Sequence, residues 1–273
     1  MRFASRTLAN SAVTLVLAVA VVSLDRLYDL SLRDSSFLTG WLLVVGIGLL
    51  AVYNGRKKLP FLPLFSSAAW LQFHIYLGCL VIVFFLLHTS FRAPSGPMEV
   101  VLWLLFIAVA GSGLLGLALS RIVPKWLGRD GERIIFERIP VFRARLAREA
   151  EALAMRSVTK TSSNTIAQYY GRTLQPFFHG PGNLLAHLTG FDRTLQRMSR
   201  EIASQRRYLN RDGREILDEI EWRVVAKNDL DREYALQWLL KGWLFVHIPL
   251  TYSLILVAVV HVVLVHAFGG GMP

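Results

Sequence analysis

The chain has 273 residues, 53% of them hydrophobic and 18% charged, with 30 Lys and Arg against 19 Asp and Glu. Together with a mean hydropathy of +0.43, this composition excludes an ordinary water-soluble globule and fits an integral membrane protein with one sizeable polar insert. The single cysteine, Cys79, excludes an intrachain disulfide and any Cys-x-x-Cys-His attachment site; inside an apolar run, it reads as a small buried apolar side chain.

In chain order, Arg2 and Arg6 precede an apolar run from Leu8 to Leu24. The run is short for a span, which needs about 20 residues, and with its basic start it also has the look of a signal peptide. The expectation is a retained first helix with its N-terminus inside. A mixed-charge connector follows (Asp25, Arg26, Asp29, Arg33, Asp34), then a second apolar run from Phe37 to Tyr53. Arg56, Lys57 and Lys58, bounded by Pro60 and Pro63, form a basic loop that marks the inner side. A third run, Trp70 to Phe91, leads outward. The short connection from Arg92 to Met98 makes the fourth run, Glu99 to Ser120, its antiparallel neighbour.

Charge then concentrates. Between Arg121 and Lys241 lie 22 of the 30 basic residues and 15 of the 19 acidic ones. In a membrane protein such a segment belongs on the cytoplasmic side, against anionic headgroups. Basic residues interleaved with exposed aromatics on a nucleic-acid-binding fold are not apparent, so no nucleic-acid partner is expected. Helical spacing appears over Phe142–Val158 and Asp212–Lys241, with a further helix over Asn183–Tyr208 and a turn-rich break from Gln175 to Gly182. His179 and His187 read as structural. The fifth apolar run, Gly242 to Phe268, leads out again. The expected class is all-α: an integral membrane protein of five transmembrane helices, with a four-helix cofactor-binding bundle and a mostly helical cytoplasmic insert. Its divisions are 1–36 for the first helix and connector, 37–121 for helices two to four, 122–241 for the insert and 242–273 for the last helix and outer C-terminus.

Two of the runs match. The third carries His74 and His88, the fifth His247 and His261, each pair fourteen residues apart. Fourteen steps of about 100° end roughly 40° short of four turns, so both histidines of a run share one face, separated by about 21 Å along the axis. Ionisable side chains in a membrane segment are costly and usually face a partner or cofactor. Two pairs with equal spacing point to two stacked cofactors, each held by one histidine from each helix. Haem iron takes axial imidazoles, whereas a structural zinc site wants four converging ligands. The third and fifth helices run parallel, so His74 pairs with His247 near the inner face and His88 with His261 near the outer face.

In these positions the sequence resembles the dihaem b-type cytochromes: cytochrome b of the bc complexes, the membrane cytochromes of hydrogenases and formate dehydrogenases, and the ferric reductase and NADPH oxidase group. The resemblance covers roughly residues 37–121 and 242–268. It implies that His74, His88, His247 and His261 are axial ligands of two haem b groups, which pass electrons between a quinone site and a partner such as a multihaem cytochrome c or an iron–sulfur protein on the outer side. The expected location is the bacterial inner membrane, and the expected role an electron-transfer subunit. No flavin–nicotinamide module follows the last run, so electrons from a nicotinamide are expected to come through another protein.

Gly46, Gly48, Gly111, Gly113 and Gly116 serve either clearance for a flat macrocycle or helix packing. Pro249 should bend the last helix locally. Candidate cations for haem carboxylates are Arg56, Lys57, Lys58, Arg121, Lys241 and, outside, Arg92. Candidate acceptors for the imidazole N–H groups are Thr89, Ser90, Thr251, Tyr252 and Ser253. His266 reads as an interface residue or as part of a quinol or partner contact. Two alternatives stay open: a non-redox scaffold or transporter using its histidines for metal or protons, and a stand-alone haem reductase of an external acceptor.

Overall fold

A computed structural model describes residues 2–30, 35–56, 66–127, 134–161, 163–182, 184–190 and 193–268. Arg33, Asp34, Lys57, Lys58, Pro60, Pro63, Asn183 and the C-terminal glycines lie outside the described residues, as does the side chain of Arg56. The fold is all-α, with no strand among the described residues. Among the described residues, five helices are long and apolar enough to cross a membrane. The chain forms two compact units, one of residues Met1–Ala118 and Trp243–Pro273, the other of Leu119–Gly242.

In the first unit, α1 spans Arg2–Leu30, α2 Ser36–Arg56, α3 Ser67–His88 and α4 Pro97–Leu127. The unit is completed by the C-terminal part of α10, Arg211–Phe268. The last four meet in one apolar cluster of Ile47, Val81, Phe84, Phe85, Phe106 and Leu254. At its centre the Phe85 and Phe106 rings stack with centroids 3.8 Å apart. A Cβ at Gly46 would lie 2.6 Å from Val81 Cγ2, so this glycine lets α2 and α3 approach closely. α1 is stitched to α3 by polar side chains: Asn10 Nδ2 donates to Gln72 Oε1 (3.3 Å) and the Tyr76 hydroxyl to the Thr7 carbonyl (3.2 Å).

Several boundaries differ from the sequence reading. α1 runs on through Asp25, Arg26 and Asp29, because nothing between Leu24 and Leu30 breaks a helix, and Asp25 is buried rather than in a connector. α3 stops at His88, three residues before the end of its apolar run. Ser90 and Phe91 adopt φ of 48° and 57°, and their N–H groups bond back to the carbonyls of Leu87 (2.9 Å) and Leu86 (3.1 Å). That is the bonding of a left-handed C-cap, with serine where glycine usually sits. α3 begins at an N-cap, the Ser66 hydroxyl accepting from Ala69 N at 3.2 Å. Just before α4, Glu99 reaches back to accept from the N–H groups of Ser95 (2.9 Å) and Gly96 (3.2 Å). Cys79 is exposed, not buried: it sits on the outer face of α3.

In the second unit, α5 (Ile139–Thr161), α6 (Thr165–Tyr169), a π-helical turn (Tyr170–Leu174), α7 (Gln175–Phe178), α8 (Leu184–Thr189) and α9 (Arg193–Arg206) lead into α10. The stretch read as a turn-rich break is helical up to Phe178, because Phe178 is drawn into the core beside Tyr170. The helix read over Asn183–Tyr208 is two helices, parted at Gly190 with φ +76°. α10 buries Ile216, Leu217, Ile220 and Val224 at helical spacing. It continues without interruption into the apolar run, so the last helix of the insert and the fifth apolar helix are one element, passing through Pro249 without ending.

Candidate functional site

The first unit encloses a cavity of about 410 Å³ lined by residues of α2, α3, α4 and α10. Two of the sequence-predicted residues, His88 and His261, line it together, with His266 and Arg92. Its walls are mostly apolar, with Ile47, Phe85, Leu102, Phe106 and Leu254, and they also carry the Glu99 carboxylate. His74 and His247 do not line this cavity. His74 lies against Tyr53, ring centroids 5.0 Å apart, and His247 stacks on Trp243 at 5.4 Å and 22°.

The C-cap ending α3 puts His88 in its last turn, beside the first turn of α2. There His88 Nδ1 donates to the Ser36 carbonyl at 3.1 Å. This turns Nδ1 toward the helix backbone, as a metal-binding imidazole does with its non-ligating nitrogen. A Cβ at Gly40 would lie 3.0 Å from His88 Cε1, so the ring rests directly on the α2 backbone. At His247, the Ser112 hydroxyl donates to the Val109 carbonyl (2.9 Å). Its lone pairs are thereby left to accept from His247 Nδ1 (2.7 Å).

Two of the acceptors proposed from sequence proximity bond elsewhere. Thr89 Oγ1 donates to the Phe85 carbonyl (3.0 Å) and Thr251 Oγ1 to the His247 carbonyl (2.9 Å). The Nδ1 partners of His88 and His247 come instead from α2 and α4, because the ligand face of a helix looks at its neighbours and not at its own next turn. Among the glycines, Gly46 serves α2–α3 packing, Gly113 approaches His247 (Cβ to Cε1 3.8 Å) and Gly116 faces Trp243, while Gly48 and Gly111 face open space. Lys241 is committed to Glu137 at 2.6 Å, and Arg121 is exposed. Arg92 is the cation on the cavity wall. His266 packs against Phe37 (5.8 Å) and Trp41 (5.7 Å) beside the same cavity.

His88 and His261, on one mostly apolar cavity, could hold the metal of a flat, largely apolar group through their ring nitrogens. The donor set fits haem in kind: nitrogen ligands, mostly apolar walls and a guanidinium for a carboxylate. Comparison of the chain with protein-family models, curated proteins and solved structures finds no match.

Proposed function

We propose that this protein is a dihaem b-type membrane cytochrome that carries electrons across the bilayer, between a quinone or quinol and a redox partner protein. The observation that supports it best is the shared cavity of His88 and His261, on two helices whose histidines recur at the same fourteen-residue interval. On this reading His88 and His261 hold the outer haem and His74 and His247 the inner one. When bound, each haem supplies a one-electron couple.

The chain's own residues do the rest. Ser36 and Ser112 fix the tautomers of His88 and His247, the Phe85–Phe106 wall keeps water out, and Arg92 neutralises a carboxylate. The insert, with most of the chain's charge, faces the cytoplasm and its anionic lipid, and the C-terminus the outside. The outer partner is a cytochrome c or an iron–sulfur protein, and the membrane a bacterial inner membrane.

A dithionite-reduced minus oxidised spectrum, with haem counted per chain, tests this on the wild type and on His74→Ala and His261→Ala. The expected result is two haems in the wild type and a different one lost in each variant. A folded, purified wild type without haem overturns the proposal and turns attention to metal or proton transport.

A further inference from the structure

Two of the predicted ligands, His88 and His247, each meet an Nδ1 acceptor from a serine on a neighbouring helix, with a glycine one turn later. On α2, Ser36 supplies an acceptor and Gly40, one turn later, lacks the side chain that would push the ring away: Ser36 O to His88 Nδ1 is 3.1 Å, Gly40 Cβ to His88 Cε1 3.0 Å. On α4, Ser112 supplies the acceptor and Gly116, one turn later, clears the space for an aromatic ring. Here Ser112 Oγ meets His247 Nδ1 at 2.7 Å, and a Cβ at Gly116 would collide with the Trp243 indole. Trp243 is in turn the plate on which His247 stacks, and its Nε1 donates to the Ser112 carbonyl at 2.7 Å. Ser112 thus fixes both rings, one through its hydroxyl and one through its carbonyl.

We infer that these two serine–glycine steps, Ser36 with Gly40 and Ser112 with Gly116, are positioning elements that each set the orientation and donor strength of one histidine ligand. The inference rests on the dihaem reading and goes beyond it, since it assigns roles to residues that touch no cofactor. An acceptor on Nδ1–H raises the basicity of Nε2 and stabilises the oxidised iron. His88 and His247 belong to different pairs, so each step acts on a different haem.

The test combines potentiometric titration, low-temperature EPR and haem counting on the wild type, Ser112→Ala, Ser112→Thr and Gly40→Val. Ser112→Ala is expected to move one midpoint potential upward and alter one low-spin ferric signal, with two haems retained. Ser112→Thr, which keeps a hydroxyl, should restore both. Gly40→Val, which drives His88 off the Ser36 carbonyl, should perturb or remove the other haem and leave the Ser112-sensitive one in place. A wild type with two haems whose potentials and signals are unmoved by Ser112→Ala overturns the inference while leaving the dihaem reading intact. Equal perturbation of both haems by either variant overturns it as well, since that is what general loosening of the bundle produces. A wild type without haem overturns both.

Discussion

The two units bury their apolar side chains in opposite styles. Residues 119–242 have a core of the water-soluble kind: Leu174, Ile202, Leu217 and Ile220 are fully buried, and ion pairs such as Arg145–Glu149 and Arg197–Glu201 lie outside it. The helical unit of residues 1–118 and 243–273 buries few side chains and leaves Val16, Phe245, Leu256 and Val263 largely exposed. In water such exposure would forgo about 25 cal/mol for each Å² left uncovered, whereas in hydrocarbon it costs nothing. The difference teaches that hydropathy means opposite things in the two halves: in one it marks the inside, in the other side chains left exposed on helices long and apolar enough to cross a membrane.

Polar groups sharpen the contrast, because the soluble-type core contains an ion cluster. Lys227 and Asp231, both buried, pair directly on α10, with Lys227 Nζ 3.9 Å from the Phe177 ring centroid. Asp231 also accepts from Gly182 N (3.0 Å) and lies 3.7 Å from Arg143. Removing one partner strands a buried charge, so Asp231→Ala should destabilise this unit by about 3–5 kcal/mol in chemical unfolding, whereas the double replacement Lys227→Met with Asp231→Leu should be much milder. If single and double variants unfold alike, the pair is hydrated and the core is not of the kind described.

Next in size is a matched pair of exposed leucines, Leu256 at 66% and Leu185 at 80%. With lipid around the helical unit, Leu256→Arg should cost about 3 kcal/mol of insertion free energy and lower the yield of carbonate-resistant membrane protein. Leu185→Arg, in the charged unit, should stay within about 0.5 kcal/mol of wild type. Equal recovery of the two variants would break the comparison.

The smallest effect is electrostatic. Burial, reinforced by the Glu201 carboxylate 3.5 Å from its hydroxyl, pushes the Tyr169 phenol above its ordinary range. The unfolded chain therefore gives up this proton first as pH rises through about 10. Stability from the neutral phenol is present below that pH and declines above it. Unfolding midpoints between about pH 9 and about pH 11 should fall less steeply in Tyr169→Phe than in wild type, and identical slopes would remove Tyr169 from the account.

What could be read from the sequence follows from how local each signal is. The five apolar helices and the common face of His74 with His88, and of His247 with His261, depend only on composition and a period of 3.6, which any helix imposes on its own sequence. The end of α3 was not legible, since Ser90 and Phe91 enter the left-handed region without the glycine that usually announces it. The continuity of α10 was equally hidden: Gly242 suggested a border, but a single glycine costs a helix only about 1 kcal/mol, less than the packing on either side supplies.

Sequence by itself therefore determined which residues are apolar enough to cross a membrane and which histidines share a helix face. Only the tertiary structure decided that His88 and His261 line one cavity, that Ser36 and Ser112 receive the Nδ1 protons, and that Asp231 belongs to a core. Those outcomes depend on the rotation and depth at which helices pack against one another. Such quantities are set by side chains far apart in the chain, and no periodicity within one helix records them.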